Sequence, residues 1–104
     1  MERHDVRYRP EAARDLADVY RWIFEASRDA LTAQRLVMRI MERCNALGDM
    51  PLSGRRRDDL LPGLRTIAFE KRAVIAYLVV ADTVQITNVF YGGRDFEALY
   101  RDET

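Results

Sequence analysis

Few side chains in this sequence could perform acid–base, nucleophilic or metal chemistry. It contains one histidine, His4, and one cysteine, Cys44. No Cys/His set for zinc can therefore be assembled, and neither a P-loop nor a GxGxxG motif occurs. We expect no metal and no cofactor. His4 is close to the N-terminus, where an exposed and inert residue is the simpler interpretation. Cys44 lies on an apolar helix face and is expected to be a small core residue.

Length and composition indicate one small soluble domain. A chain of 104 residues has room for one core, so we expect a single domain over residues 1–104. Apolar content of 48% and charged content of 33% fit a globular protein. The N-terminus carries charge at Glu2, Arg3 and Asp5, where a signal peptide would need apolar residues, and no run could span a bilayer. A lone cysteine is compatible with a reducing compartment, so we expect a cytoplasmic protein.

The first half of the chain has helical periodicity. A short strand pattern over His4–Tyr8 precedes Pro10, which suits the first turn of a helix. Apolar residues then recur at helical spacing over 10–26 and over 29–48, with Gly48 as a stop. The short joint between these segments predicts an antiparallel helical hairpin. The apolar stripe of the second helix comprises Ala33, Leu36, Val37, Ile40, Met41, Cys44 and Leu47. Three methionines are expected to fill the core, namely Met38, Met41 and Met50.

The second half has the period of two that is typical of strands. Arg65–Phe69, Ala73–Val80 and Val84–Tyr91 are rich in Val, Ile, Thr and aromatic residues, and short gaps predict a hairpin meander. The helical hairpin must cover one apolar face of this sheet. The N-terminal strand is expected to add to an edge, and the residues from Phe96 onward to form a short C-terminal helix or tail. The sequence therefore predicts an α+β, two-layer domain of order β-α-α-β-β-β with a small antiparallel sheet.

A basic linker joins the two halves. Residues 51–72 contain six basic residues against three acidic ones, although the formal net charge of the chain is zero. The basic residues are Arg55, Arg56, Arg57, Arg65, Lys71 and Arg72, and the acidic residues are Asp58, Asp59 and Glu70. Two interpretations carry equal weight: a docking segment for an acidic partner, or a solvated loop whose charges pair with one another.

An ordered set of short motifs resembles the ParE/RelE superfamily of bacterial toxins, and the ParE branch in particular. No single piece is specific, but together they cover nearly the full chain in the right order. The pieces are Tyr8-Arg9-Pro10-Glu11-Ala12, Asp15-Leu16, Tyr20-Arg21-Trp22-Ile23, Met50-Pro51, Gly54-Arg55, Pro62-Gly63-Leu64-Arg65, Val74-Ile75-Ala76-Tyr77, Ile86–Val89 and Tyr91-Gly92-Gly93-Arg94-Asp95.

The resemblance implies the toxin of a type II toxin–antitoxin pair. Such a toxin would be neutralised by direct binding of a ParD-like ribbon-helix-helix antitoxin in a hetero-oligomer. ParE-type toxins are associated with poisoning DNA gyrase, whereas RelE-type relatives cleave mRNA in the ribosomal A site. Because the branches share a fold, the fold does not decide between these functions.

The nuclease alternative has candidate residues but an incomplete set. Arg65 matches an arginine that the nuclease relatives use, and Tyr91 stands where ParE-like sequences often carry histidine. RNA cleavage also needs a general acid and a general base, and no second such group accompanies Tyr91, since Glu70 lies at a predicted turn. A chain with zero net charge and a pI of about 6.6 lacks the broad basic surface that ribosomal RNA requires.

We therefore expect a non-enzymatic toxin that binds an essential protein, with DNA gyrase as the expected target. Direct nucleic-acid binding and membrane association are not expected. The alternatives are an mRNA interferase that uses Arg65 and Tyr91, and a pure interaction module. The antitoxin is expected on the helical hairpin and the linker, where unpaired arginines would meet its carboxylates. The expected antitoxin contacts are Arg55, Arg56, Arg57, Asp58, Asp59 and Arg65, and the expected target contacts are Tyr91, Arg94 and Asp95.

Overall fold

The computed structural model describes residues 2–101. In chain order the elements are β1 (Asp5–Tyr8), α1 (Pro10–Ser27), α2 (Ala30–Ala46), β2 (Arg55–Arg56), β3 (Arg65–Phe69), β4 (Ala73–Val80), β5 (Thr83–Tyr91) and α3 (Glu97–Tyr100). The predicted α+β order is confirmed, with one additional strand, β2, inside the linker. In this part of the chain no helix is both long enough and apolar enough to cross a membrane.

Local signals explain where the two long helices begin and end. Pro10 occupies the first turn of α1, and Arg28 follows the helix in the left-handed conformation, with φ of 56°. Asp29 then caps α2, because its carboxylate accepts a hydrogen bond from the N–H of Leu31 at 3.2 Å. The two helices pack against each other as the predicted hairpin.

All five strands belong to one sheet, in the order β1-β5-β4-β3-β2. The strands β3, β4 and β5 form the predicted antiparallel meander. As expected, β1 adds to the edge of β5, but it runs parallel to β5, so the sheet is not wholly antiparallel. The parallel direction is allowed because a long stretch of chain, with both long helices and the strands β2, β3 and β4, separates these two strands. The strand β2 has only two residues, too few for a period of two to be recognised.

The start of β1 is held against the turn that follows α2. The carbonyl of Gly48 accepts a hydrogen bond from the N–H of His4 at 2.8 Å. A Cβ atom at Gly48 would lie 2.6 Å from the carbonyl oxygen of His4. Glycine at this position therefore permits a close approach of two backbone segments.

The main core lies between the helical hairpin and one face of the sheet. Its buried residues are Ala12, Leu16, Val19, Leu36, Ile40, Cys44, Leu47, Ile67, Phe69, Ala73, Ile75, Tyr77, Val84, Ile86 and Val89. The predicted stripe of α2 is thus confirmed at Leu36, Ile40 and Leu47, which are all buried beneath the sheet. This face of the sheet is called the helix face below.

A smaller cluster covers part of the opposite face of the sheet, called the second face below. Leu64, Ala76 and Phe90 are its buried members. Phe96 and Tyr100, from the segment that contains α3, pack on Phe90 with ring centroids 5.6 Å and 6.5 Å away. The short C-terminal helix is therefore confirmed, and it adds a partial third layer to the predicted two.

Candidate functional site

The linker is fixed to the centre of the sheet by one buried tyrosine. The hydroxyl of Tyr77, on β4, donates a hydrogen bond to the carbonyl of Pro51 at 2.9 Å. The same oxygen accepts a hydrogen bond from the N–H of Gly54 at 2.8 Å. Any Cβ at Gly54 would lie 2.5 Å from that oxygen, so only glycine fits. These contacts hold the chain where it enters β2.

Arg65 is the second anchor of the linker. One of its guanidinium nitrogens donates hydrogen bonds to the carbonyls of Leu52 at 3.1 Å and Gly54 at 2.9 Å. Arg65 is partly buried at the start of β3, opposite Arg56 of β2. Its guanidinium therefore supports the linker backbone through one nitrogen, and the expected contact of Arg65 with antitoxin carboxylates stays a prediction.

The charges of the Arg55–Asp59 segment pair largely with one another. Arg56 forms an ion pair with Asp58 at 2.9 Å. Arg57 pairs with Asp59 at 2.9 Å and, across the chain, with Glu97 at 2.8 Å. The expectation of unpaired arginines is therefore wrong for Arg56 and Arg57, because carboxylates two residues away lie within reach. Within residues 2–101, Arg55 is the member of this triplet that forms no ion pair.

Arg57 also holds the C-terminal segment. Its side chain is only 13% exposed, and its guanidinium lies 5.8 Å from the centre of the Phe96 ring. The hydrogen bond from Arg57 lowers the pKa of Asp59. The pKa of Asp58 is also lowered, first by the hydrogen bond from the N–H of Gly63 and then by the charge of Arg56. Both carboxylates therefore remain ionised at neutral pH.

The structure does not bring the candidate nuclease residues together. Arg65 lies opposite Tyr77 on β4, whereas Tyr91 lies opposite Ala73, four residues away along the same strand. At roughly 3.3 Å per residue this separation is about 13 Å. The histidine is more distant still, because His4 precedes β1, which pairs with the opposite end of β5. The three candidate residues therefore start from well-separated backbone positions on the sheet.

The three expected target contacts point in different directions. Tyr91 packs against the main core on the helix face. Arg94 lies over the ring of Phe90, at 5.8 Å from its centre, on the second face. Asp95 forms an ion pair with Arg101 at 3.3 Å. One partner surface can therefore include Arg94 without reaching Tyr91.

An apolar groove runs between β1 and α2. It has a volume of about 360 Å³ and is lined by Tyr8, Met38, Met41, Glu42 and Asn45. Met38 and Met41 are 54% and 40% exposed. The expectation that they fill the core is wrong, because this side of α2 faces the groove and not the sheet. It is wrong for Met50 as well, which is 65% exposed in the linker. We call this surface the methionine groove.

Two titratable groups, Tyr8 in the lining of the methionine groove and the buried Cys44, are uncharged at neutral pH. Burial raises the pKa of the Cys44 thiol to about 12. Burial is also the main cause that raises the pKa of the Tyr8 hydroxyl well above its usual range, with a smaller contribution from Cys44. Cys44 is fully buried, which confirms the predicted core position. Neither group is poised as a nucleophile or a base at neutral pH.

One polar contact in the core was not predicted from the sequence. The carboxylate of Asp15, on α1, accepts hydrogen bonds from the N–H of Val89 at 2.9 Å and the side-chain amide of Asn88 at 3.2 Å. These two residues adjoin the irregularity in the pairing of β4 with β5. The sequence feature that could have indicated this contact is an acidic residue directly before the buried Leu16 of α1. Asp15 therefore ties the first helix to the bulged strand.

The fold and these surfaces define a class: a small α+β domain whose groove and charged loops suit protein partners. A family described as "ParE toxin of type II toxin-antitoxin system, parDE" matches residues 6–96. The chain therefore belongs to the ParE toxin family. The resemblance inferred from the sequence motifs is thereby confirmed.

Two solved structures have a similar fold. One is the chromosomal ParDE toxin–antitoxin system from P. aeruginosa, with a TM-score of 0.73 and 22% identity, covering 86% of this chain and 96% of that chain. Another is the toxin–antitoxin complex RelBE2 from Mycobacterium tuberculosis, with a TM-score of 0.62 and 21% identity, covering 86% of this chain and 98% of that chain. A comparison with curated protein sequences finds no match.

Proposed function

We propose that this type II toxin is held inactive by direct binding of a ParD-like ribbon-helix-helix antitoxin. Once released, it binds and inhibits an essential bacterial protein, with DNA gyrase as the target. The activity is a binding event, without cleavage of a covalent bond by the toxin. Toxin and antitoxin form a hetero-oligomer, and both act in the cytoplasm.

The exposed apolar surface of the helical hairpin carries the antitoxin proposal. Met38 and Met41 line an open groove, and near the end of α1 the rings of Tyr20 and Phe24 stack 6.4 Å apart at the surface. A monomeric soluble protein rarely exposes a large apolar area without a partner. An apolar groove beside a helix is a common seat for an amphipathic helix of another protein. The antitoxin would therefore bury this surface.

The linker is the polar rim of the proposed antitoxin site. Arg55 and the Arg56–Asp58 pair are exposed, and they can orient charged groups of an antitoxin without a large contribution to affinity. Arg57 and Arg65 act indirectly, since they hold the C-terminal segment and the linker backbone.

The separation of Arg65 from Tyr91 supports a binding function over an mRNA interferase. General acid–base catalysis requires groups within hydrogen-bonding reach of one reacting centre. Here one nitrogen of Arg65 on β3 is bound to two backbone carbonyls. Tyr91 is two strands away on β5, and it is displaced by four residues along the intervening strand β4. A nuclease would need both side chains to leave their observed surroundings.

Expression of the protein alone in bacterial cells tests the proposal. We expect growth arrest with DNA-damage signalling, relief when the antitoxin is co-expressed, and inhibition of gyrase supercoiling by the purified toxin. Arrest of translation with cleaved mRNA would instead establish the interferase alternative. Absence of any growth defect would establish a pure interaction module that binds only the antitoxin.

A further inference from the structure

A small basic pocket lies on the second face of the sheet, at the end where the β3–β4 turn meets the end of β5. Its volume is about 200 Å³. The lining consists of Ala68, Lys71, Arg72, Ala73, Val74, Phe90, Gly93 and Arg94. Three of these residues are cationic and none is acidic. We call this site the basic pocket.

Two tight backbone conformations bring the three cations together. Lys71 is in the left-handed conformation, with φ of 58°, in the turn between β3 and β4. The N–H of Gly92 donates a hydrogen bond to the carbonyl of Arg72 at 2.9 Å, which joins this turn to the end of β5. Gly93, with φ of 78°, then directs the chain toward Arg94.

The cations of the basic pocket lack an ion-pair partner among the described residues, although the charge of Arg72 contributes to the lowered pKa of Glu70. Within residues 2–101, none of Lys71, Arg72 and Arg94 forms an ion pair. The nearest acidic residues in sequence are engaged elsewhere: Glu70 pairs with Arg39 at 3.1 Å, and Asp95 pairs with Arg101 at 3.3 Å. A chain with zero net charge therefore concentrates three unpaired positive charges around one cavity.

The floor of the basic pocket is apolar. Phe90 is buried beneath it, and Val74 is half-buried beside Phe90. Arg94 lies over the Phe90 ring, at 5.8 Å from its centre, which keeps one charge at the rim. A cavity of this size and lining accommodates one apolar side chain, and the rim accommodates carboxylates on either side of it.

We propose that the basic pocket binds an acidic segment of the inhibited target protein, with one apolar side chain in the cavity and flanking carboxylates on Lys71, Arg72 and Arg94. This inference rests on the proposed function. The pocket opens on the second face at the end of β3, β4 and β5, whereas the methionine groove lies between α2 and the edge strand β1. A released toxin therefore presents a surface that is separate from the proposed antitoxin groove.

A peptide-binding experiment tests the basic pocket directly. The probe is a fluorescein-labelled peptide of sequence Glu-Glu-Leu-Glu-Glu, and the readout is fluorescence anisotropy with the full-length protein. We expect saturable binding that weakens as salt is added. Replacement of the leucine of the peptide by alanine should weaken binding about tenfold. The single change R94Q should weaken it about two- to fivefold, in the range of an exposed ion pair.

Two further variants separate charge from shape. A68L fills the cavity without altering charge, so it should abolish the advantage of leucine over alanine in the peptide. R14Q removes an exposed arginine of α1, far from the pocket, and should bind as the parent does. Equal binding of the peptide by the parent, R94Q and A68L proteins would overturn the inference. Binding of a labelled single-stranded RNA, lost in R94Q, with no peptide binding would assign a phosphate ligand and would also overturn it.

Gyrase assays separate this inference from the proposed function. We expect R94Q to raise the toxin concentration needed to inhibit supercoiling about two- to fivefold, and A68L to raise it about tenfold. Both variants should retain the affinity of the parent for the antitoxin. If the parent fails to inhibit gyrase, the proposed target is wrong, and the peptide experiment still decides what the pocket binds. If the parent inhibits gyrase and both variants inhibit it equally well, the basic pocket is not the target site.

Discussion

The N–H of Gly54 donates a hydrogen bond to the hydroxyl of Tyr77 at 2.8 Å, and this contact joins the basic linker to the central strand of the sheet. Tyr77 is fully buried, so its hydroxyl is available to the linker and not to solvent. This oxygen therefore helps to position β2 and the charged Arg55–Asp59 segment, together with Arg65 and the pairing of β2 with β3.

Removal of this hydroxyl should destabilise the protein. Y77F leaves the N–H of Gly54 and the carbonyl of Pro51 without their partner, which costs about 1–3 kcal/mol for a buried group. Urea denaturation measures the free energy of unfolding. The control is Y20F, which alters an exposed tyrosine and should leave stability unchanged. An unchanged midpoint for Y77F would show that the linker is held by other contacts.

Truncation of a core side chain of α2 should lower the free energy of unfolding more than Y77F does. Ile40 is fully buried between α2 and the sheet, and I40A should reduce the free energy of unfolding by about 2–5 kcal/mol. L31A provides a matched control, since Leu31 lies on the same helix with 49% of its surface exposed. Similar losses for both variants would contradict the assignment of the buried stripe.

The purified toxin should not cleave mRNA on programmed ribosomes. Its two candidate residues, Arg65 and Tyr91, lie on strands β3 and β5, which flank β4, and they are separated along the sheet. Primer extension on a translated message detects such cuts. Ribosome-dependent cuts that disappear in both R65A and Y91F would establish the interferase. Because Arg65 also supports the linker, Y91F is the more specific of the two variants.

Charge reversal in the linker should weaken antitoxin binding mildly. We expect R55E together with R56E to lower the affinity for the antitoxin and to reduce its salt dependence, because exposed ion pairs contribute roughly 0–1 kcal/mol each. Arg57 is excluded, since its reversal would place a carboxylate beside Asp59 and Glu97 and would release the C-terminal segment. Calorimetric titration at two salt concentrations is the measurement. Identical affinity and salt dependence would show that the linker is only a solvated loop.

Loss of the methionine groove should weaken the antitoxin complex more strongly. M41E places a carboxylate beside Tyr8 in the lining of the groove. An apolar antitoxin side chain bound there would remove water from this carboxylate, and burial of an unpaired charge is costly. We expect a decrease in affinity of at least about tenfold, mostly through faster dissociation. L99E alters an exposed residue of α3 and serves as the control. If M41E binds like the parent, the antitoxin does not use this groove.

The sequence alone determined the elements and the family of this protein. Periodicity located both helices and the meander within a few residues, because each element buries one face and its apolar spacing must match its geometry. Pro10 and Asp29 marked helix starts through local chemistry that needs no distant partner. The ordered motifs, which cover most of the chain, were sufficient to indicate a ParE-type toxin.

Only the tertiary structure decided how the charges and the apolar surface are used. Sequence spacing could not show that Arg57 reaches Glu97, forty residues away, or that Arg65 binds the backbone of the linker. It also could not show that Met41 faces a groove. That depends on where the edge strand β1 lies relative to α2, and the sequence pattern of α2 does not contain this information. Ion pairs and exposure are properties of distances between distant segments, and those distances exist only once the sheet has formed.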